Sequence, residues 1–345
     1  MNDLVVQTEC GLWCEAGGFY VDPWRPVPRA VVTHAHADHA IPGCGRYLAT
    51  AGTIALMRSR MPGEIEADIP AFGERVRLGR TTVSLHPAGH VLGSAQVRIE
   101  PDDGGPVWVI TGDYKVEPDP SCEAFEVVPC DVLLTESTFG LPIYRWEDPA
   151  KVFEDINGWW RSNAAEGRTT VLLTYSLGKA QRVLAGLDAS NGPIGVHGAV
   201  LGPTGVYRDA GIKLPEVMHA DAQHAKDLKG PGLILTPPSA SGTAWLRKFK
   251  GPGGIRTAFV SGWMRVRGRR RWQSVDRGFT LSDHADWDGL LDTVRRSGAR
   301  RVGVTHGSSE TLARYLRESM GLDSFVVPTR FTGEGGDETE TGGED

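Results

Sequence analysis

The chain has 345 residues, 40% of them apolar and 23% charged, with a formal net charge of −6. Such a length exceeds one ordinary hydrophobic core and predicts a large domain with a smaller one beside it. The composition is that of a soluble globular protein, and no apolar run approaches the roughly 20 residues that a membrane span requires.

The charge is uneven. Residues 333–345 carry Glu334, Asp337, Glu338, Glu340, Glu344 and Asp345 without a base, so the rest of the chain is neutral. That stretch has no apolar side chain and is expected to be a disordered acidic tail. A neutral body leaves an anionic substrate open. Cys10, Cys14, Cys44, Cys122 and Cys130 form an odd set with no CxxC pair, which fits a reducing compartment rather than a disulfide framework. No basic region followed by an apolar stretch opens the chain, so the expected location is cytoplasmic.

In chain order, the first third alternates short β-branched or aromatic runs with turn residues. Strands are predicted at 4–8, 12–15, 18–21, 30–33, 47–49, 75–78, 82–86, 95–100 and 107–111. Asp102-Asp103-Gly104-Gly105 predicts a hairpin turn between the last two. Residues 53–61 read as a helix stopped by Pro62-Gly63, and 131–136 as a buried strand ending in an acid. Beyond Glu136 the texture becomes α/β. A helix is predicted over 149–165, where Val152, Phe153, Ile156, Trp159 and Trp160 share a helical period. Strand 170–174 and helix 178–186 follow, then strands 194–196 and 233–235, a helix near 244–249 and strand 257–261. The last part alternates strand 278–281, helix 287–297, strand 301–305, helix 309–320 and strand 324–327.

The densest chemistry lies in Thr33-His34-Ala35-His36-Ala37-Asp38-His39, directly after the β-branched pair Val31-Val32. Loops at strand ends are where a rigid sheet can aim side chains into a cleft. Imidazole with carboxylate is the ligand set of zinc, with manganese and iron as rivals. Packed together without a metal, these groups would each need separate hydrogen-bond partners. His90, Asp113 and His306 also follow predicted strands, and join the cluster as one set. His34, His36 and His90 are expected to hold one divalent ion, and Asp38, His39 and His306 a second, with Asp113 between them. A shared carboxylate suits two ions that clamp an in-line displacement and lower the pKa of a bridging water.

The run Thr33–His39 resembles the HxHxDH signature of the metallo-β-lactamase fold, and His90, Asp113 and His306 sit where that family places its remaining ligands. Asp22, before Pro23, resembles the acid the family keeps beneath the metal loop. The resemblance spans about residues 1–136 and 276–328 and implies an α/β fold, an αββα sandwich with the metals at one edge of its sheets. The signature is specific for fold and poorly specific for reaction, since one fold hosts many chemistries.

Other motifs narrow the reaction. Thr135-Glu136-Ser137-Thr138-Phe139-Gly140 resembles the acidic motif that opens the β-CASP insertion of nucleic-acid-cleaving members. Ser282-Asp283-His284-Ala285-Asp286 resembles the histidine motif that follows it. The implied organisation is a discontinuous metallo-β-lactamase domain, 1–136 and 276–332, with a compact β-CASP-like α/β domain at 137–275 and the tail at 333–345. Phosphodiester hydrolysis needs a nucleophile, charge neutralisation and a proton for the leaving oxygen. Two ions supply the first two. His284 held by Glu136 can supply the third, because a carboxylate fixes an imidazole's tautomer and favours its protonated form. A purely structural ion pair is the alternative for these two. Asp38 is expected to serve the chemistry as well as the metal.

Substrate contacts are expected from Ser176 and Lys179 at a helix start, and from Ser239 and Ser241 in a hydroxyl-rich loop that helix capping would explain as well. Arg265, Arg267, Arg269, Arg270 and Arg271, between Trp263 and Trp272, form a basic-aromatic patch suited to phosphates and bases. His86, His197, His219 and His224 lack a strand-end setting and read as ordinary residues.

The whole looks most like the bacterial ligase-associated DNA exonucleases. That resemblance implies 5′-directed trimming of single-stranded DNA in repair, with zinc or manganese as cofactor and DNA ligase as a functional associate. A histidine at the position of His306 goes more often with RNA in the wider family, so an RNA-processing nuclease is the alternative. A small-molecule ester or thioester hydrolase is a lesser one.

Overall fold

The protein is represented by a computed structural model that describes residues 3–266 and 275–329. Arg267, Arg269, Arg270, Arg271 and the acidic stretch 333–345 therefore lie outside the described residues. The chain divides into two compact units. One comprises Met1–Pro118, Glu123–Ile143 and His284–Asp345, the other Asp119–Cys122 and Tyr144–Asp283.

The first unit holds two sheets. Strands β1 (Val6–Thr8), β2 (Gly11–Cys14), β3 (Phe19–Val21), β4 (Arg29–Val31), β5 (Arg46–Leu48) and β6 (Ala67–Asp68) lie side by side in chain order. The second sheet contains β7 (Val76–Leu78), β8 (Thr81–Pro87), β9 (Ala95–Pro101), β10 (Trp108–Ile110), β11 (Val132–Glu136), β18 (Arg301–Thr305) and β19 (Asp323–Val326). Its order is β19-β18-β11-β10-β9-β8-β7. Strand β9 pairs antiparallel with both β8 and β10, whereas β10, β11, β18 and β19 run parallel.

Period-two alternation sorts the side chains. Val83 opposes Ile99 and Leu85 opposes Val97 across β8 and β9. All four join one core with Val21, Val31 and Leu48 of the first sheet. Trp108, Ile110, Val132 and Leu134 face that core. Their neighbours Val109 and Leu133 face a second one, with Leu290, Leu291 and Val294 of helix Trp287–Ser297 and Leu312 and Leu316 of helix Ser309–Met320. Each fully buried aliphatic contributes about 1.5–3 kcal/mol relative to exposure.

The second unit is built on a sheet ordered β14-β13-β15-β12-β16-β17, parallel throughout. Its strands are β12 (Arg168–Leu173), β13 (Ile194–Val196), β14 (Met218–His219), β15 (Leu233–Thr236), β16 (Gly254–Val260) and β17 (Arg277–Phe279). Alternate residues feed two cores, Leu172, Leu233 and Leu235 one of them and Val171, Leu173 and Ile234 the other. Both faces are thus covered, as a parallel sheet requires.

Among the helices, Pro149–Ala165 starts where Asp148 accepts from Ala150 N at 2.9 Å. Helix Gly198–Asp209 is absent from the sequence-based prediction. Gly198, Gly202, Pro203 and Gly205 disfavour a helix, yet Val200, Thr204 and Tyr207 bury one stripe and His197 caps the start. Packing overrides propensity here. No described helix is long and apolar enough to cross a membrane.

Candidate metal centre

Strand β4 carries the chain into the loop. Val32 N donates to Leu48 O at 2.9 Å, and Ala95 N to Thr33 O at 2.8 Å, so both sheets anchor its entry. The loop then folds on itself, with Ala40 N donating to His36 O at 2.8 Å. Arg60, at the end of helix Ala51–Arg60, donates from Nε to Ala35 O at 3.0 Å and from Nη2 to Ala40 O. This clamp was not foreseen, since an arginine at a helix end reads as surface charge.

Asp22 adopts a left-handed backbone, φ 44°. Its carboxylate accepts from Thr33 N at 2.8 Å, Thr33 Oγ1 at 2.7 Å and His39 Nδ1 at 2.8 Å. Holding Nδ1 this way leaves Nε2 of His39 pointing elsewhere. That nitrogen is buried without a hydrogen-bond partner, as are Asp38 Oδ1, Asp113 Oδ1 and His306 Nδ1.

Potential ligand atoms gather in groups, each within 4.8 Å: His34, His36, His90 and Asp113; Asp38, His39 and His306; and Asp113, Glu136 and His284. His36 Nδ1 lies 3.1 Å from both His34 Nε2 and His90 Nε2. Asp113 Oδ2 is 3.7 Å from His34 Nε2, 3.5 Å from His39 Nε2 and 3.9 Å from His90 Nε2. One carboxylate thus reaches imidazoles of both sets. His306, with φ 57°, stacks on His39 at 5.4 Å between ring centres.

The electrostatics ask for a cation. Burial pulls the His34 imidazole well below the ordinary histidine range, and His39, His90 and His36 push the same way. Burial also lowers His306. Both shifts favour the neutral ring, the form that binds metals. Burial acts downward on His39 too, but Asp38, Asp113 and Asp22 outweigh it and hold the ring well above its ordinary value. Burial alone would raise the Asp113 carboxyl, yet His39 and His284 keep it well below the carboxylate range. Buried lone pairs without partners, converging imidazoles and ionised carboxylates fit divalent ions.

Beside these groups, His284 Nδ1 donates to Glu136, 3.0 Å from Oε1 and 2.9 Å from Oε2. Glu136 Oε1 also accepts from Tyr114 N at 2.8 Å, and Ala285 N donates to Tyr114 O at 2.7 Å. The peptide after Asp113 therefore ties both partners to the same frame.

The second unit places its residues differently. Ser176 is buried with an unpartnered Oγ, while Ser239 and Ser241 are exposed. Thr243 caps the next short helix. Arg265 is exposed and pairs with Glu147 at 3.1 Å. Lys179 departs from expectation: it is buried, its Nζ 3.2 Å from both Asp283 Oδ2 and Leu281 O. Its charge is matched there by the Asp283 carboxylate. Arg182, unforeseen in sequence, adds a 3.0 Å pair to Asp283 Oδ1 and a bond to Ser282 O. His86 lies between Ser84 Oγ at 3.0 Å and Glu126 Oε1 at 2.6 Å. Ser84 is only 4% exposed, so this chain straps a loop to β8 rather than presenting a nucleophile.

No family model matches the chain. It is 33% identical over 318 residues to a protein named "Probable DNA ligase" from Opitutus terrae, covering 92% of this chain and 30% of that one. It is 28% identical to the Cleavage and polyadenylation specificity factor 73 of Drosophila melanogaster, over 53% of this chain and 32% of that one. A ribonuclease of Thermus thermophilus is 27% identical over 48% of this chain and 44% of its own length. The chain thus spans about a third of the first two relatives. In fold, it is similar to a protein of unknown function from Enterococcus faecalis V583, with a TM-score of 0.57 at 13% identity, covering 89% of this chain and 80% of that one. The relatives are nucleases of the β-CASP family of the metallo-β-lactamase fold, and this ligand array is consistent with that family.

Proposed function

We propose that the chain is a dinuclear metal-dependent phosphodiester hydrolase, a DNA exonuclease that trims single strands from the 5′ end in cytoplasmic DNA repair. One observation carries the reading: Asp113 gathers with His34, His36 and His90, comes within 3.5 Å of His39 Nε2 in the second ligand group, and forms a further group with the buried Glu136–His284 pair. Zinc or manganese ions, held by His34, His36 and His90 and by Asp38, His39 and His306, would supply a hydroxide near neutral pH and offset charge at phosphorus.

The remaining work falls to side chains. Glu136 holds the Nδ1 proton of His284, which leaves Nε2 to protonate the departing oxygen. Asp38, whose Oδ1 has no partner, accepts a proton from the attacking water. Asp22 keeps His39 aimed. Ser239, Ser241 and Arg265 are exposed enough to meet substrate, and we extend that role to Arg267, Arg269 and Arg270 and to the hydroxyl of Ser176. A core shared by two sheets, with helices against the second, supports an αββα sandwich of 1–136 and 276–332. The parallel sheet supports a compact β-CASP-like insertion at 137–275.

DNA is favoured by the length of the match to the Opitutus protein, whose name also suggests action alongside a ligase. A second reading, RNA processing, is favoured by the Drosophila and Thermus relatives. Matched single-stranded DNA and RNA, labelled at either end and incubated with manganese or zinc, separate the two. Stepwise loss of the 5′ label from DNA supports the exonuclease. Faster or internal cleavage of RNA transfers the protein to RNA processing, and Asp113→Ala controls for contaminating nuclease.

A further inference from the structure

The two loops that supply His34, His36 and His90 meet opposite ends of one helix. Helix Ala51–Arg60 has 10 residues, a length of about 15 Å at the usual rise. At its C-terminal end Arg60 bonds Ala35 O and Ala40 O, which bracket the stretch carrying His36, Asp38 and His39. At its N-terminal end the hydroxyls of Thr50 and Thr53 both donate to Gly93 O, at 2.5 and 2.9 Å. Gly93 belongs to the turn that starts at His90, where His90 N donates to Ser94 Oγ at 3.0 Å.

The N-terminal contact depends on two glycines. A β-carbon on Gly52 would lie 2.9 Å from Gly93 Cα, and one on Gly93 would lie 2.5 Å from Thr53 N. From the other side Gly93 N donates to Glu123 Oε2 at 2.9 Å. Between the two ends Ile54, Leu56 and Met57 are fully buried, so close packing fixes the helix along its length.

The ligands need that precision. His36 Nδ1 lies 3.1 Å from both His34 Nε2 and His90 Nε2. Nitrogens bound to one zinc at about 2.0–2.1 Å lie roughly 3.3 Å apart in a tetrahedron, so little movement of either loop is tolerated. His39 has a brace of its own in Asp22, which leaves the first group more dependent on the helix.

We propose that helix Ala51–Arg60 is a splint that sets the separation of the His36 and His90 loops. Arg60 and Thr53 are then positioning residues for the ion at His34, His36 and His90. The inference rests on the two-ion reading of the site and not on the identity of the substrate.

The full chain, loaded with zinc, is titrated with a chromophoric chelator, and His90→Ala and His306→Ala assign the two binding steps to their groups. Arg60→Met should weaken the step at His34, His36 and His90 about ten- to a hundredfold, the worth of a hydrogen bond from a charged donor. The step at Asp38, His39 and His306 should change little. Arg60→Lys should recover part of the loss, since a single ammonium lacks the guanidinium fork. Thr53→Val should weaken the same first-group step about three- to tenfold, and Thr53→Ser should restore it. Arg60→Met combined with Thr53→Val should lose less than the product of the two losses, because a loop already displaced gains little from the brace opposite. Losses that multiply would mean independent braces and overturn the splint. Equal weakening of both steps would also overturn it, as the mark of general destabilisation. If guanidinium unfolding shows that Arg60→Met does not fold, Arg60→Lys combined with Thr53→Val decides the same question. A wild type that binds fewer than two zinc ions overturns the two-ion reading and the splint with it. Two ions bound equally well by wild type and variants overturn the splint alone.

Discussion

The two units each bury a knot of charged and polar side chains, and the knots differ in what they leave unsatisfied. Around the HxHxDH loop, Asp38 Oδ1, His39 Nε2, Asp113 Oδ1 and His306 Nδ1 have no hydrogen-bond partner. In the second unit, Lys179 and Arg182 converge on Asp283, with Leu281 O and Ser282 O accepting as well, and Arg182 Nε and Asp119 Oδ2, which make no hydrogen bond, face each other as an ion pair at 3.3 Å. Asp38, His39 and Asp113 are as deeply buried as Lys179, Arg182 and Asp283. A buried group with its partners in place holds the fold together, whereas one without them calls for a ligand. Partner accounting, more than residue type, separates a site from a brace.

The largest way to break that contrast is Asp113→Ala. Its carboxylate lies within 4 Å of His34, His39 and His90, so its loss should lower metal content in both groups. Turnover should fall on the order of 10³-fold, as several kcal/mol of charge stabilisation disappear. Elemental analysis beside kinetics checks this, and full metal content with low activity would contradict the shared role. His284→Ala should reduce turnover by about 10²–10⁴-fold, the range of general acid–base catalysis, with metal content close to wild type. A parallel loss of metal would place His284 among the ligands, through the group it forms with Asp113 and Glu136.

On the other side of the contrast, Asp283→Ala removes the buried carboxylate that Lys179 and Arg182 share, with Asp119 left beside Arg182. Removing one partner of a buried pair costs about 3–5 kcal/mol, readable as a shift in guanidinium unfolding of the full chain. Lys179→Met should cost less, because Asp283 keeps Arg182. A negligible effect of Asp283→Ala would mean that water already solvates the cluster, and would reopen Lys179 to substrate.

The sequence exposed the first knot because its ligands follow β-branched runs, where a strand end fixes their direction. Helices Pro149–Ala165, Trp287–Ser297 and Ser309–Met320 were equally legible, since each carries a clean apolar period. Helix Gly198–Asp209 was hidden by its glycines and Pro203, and only tertiary burial of Val200, Thr204 and Tyr207 explains it. Lys179 lies deeper than its local sequence suggests, for a related reason. A lysine at a helix start looks solvent-facing, and nothing local announces that Asp283, about a hundred residues later, lies 3.2 Å away. The clamp from Arg60 onto the metal loop was invisible because it acts through backbone carbonyls, which carry no residue signature.

The smallest effect tests whether satisfied groups can serve unsatisfied ones. Ser137 is fully buried, and its hydroxyl donates to Thr305 O at 3.1 Å and to His306 O. Ser137 O in turn accepts from Ser308 N at 3.0 Å. His306 between them has a left-handed φ of 57°, which disfavours a side chain bearing a β-carbon and persists where surrounding bonds enforce it. Gly307, also left-handed, has no side chain to collide with the Ser137 carbonyl. Ser137→Ala removes the hydroxyl while leaving the backbone bonds. A hydrogen bond of net worth about 0.5–1.5 kcal/mol corresponds to roughly three- to tenfold weaker binding of the ion at Asp38, His39 and His306. In a stepwise metal titration only that step should weaken, and Ser137→Thr should restore it. Equal weakening of both steps would mean that Ser137 supports the fold as a whole, with no particular bearing on His306.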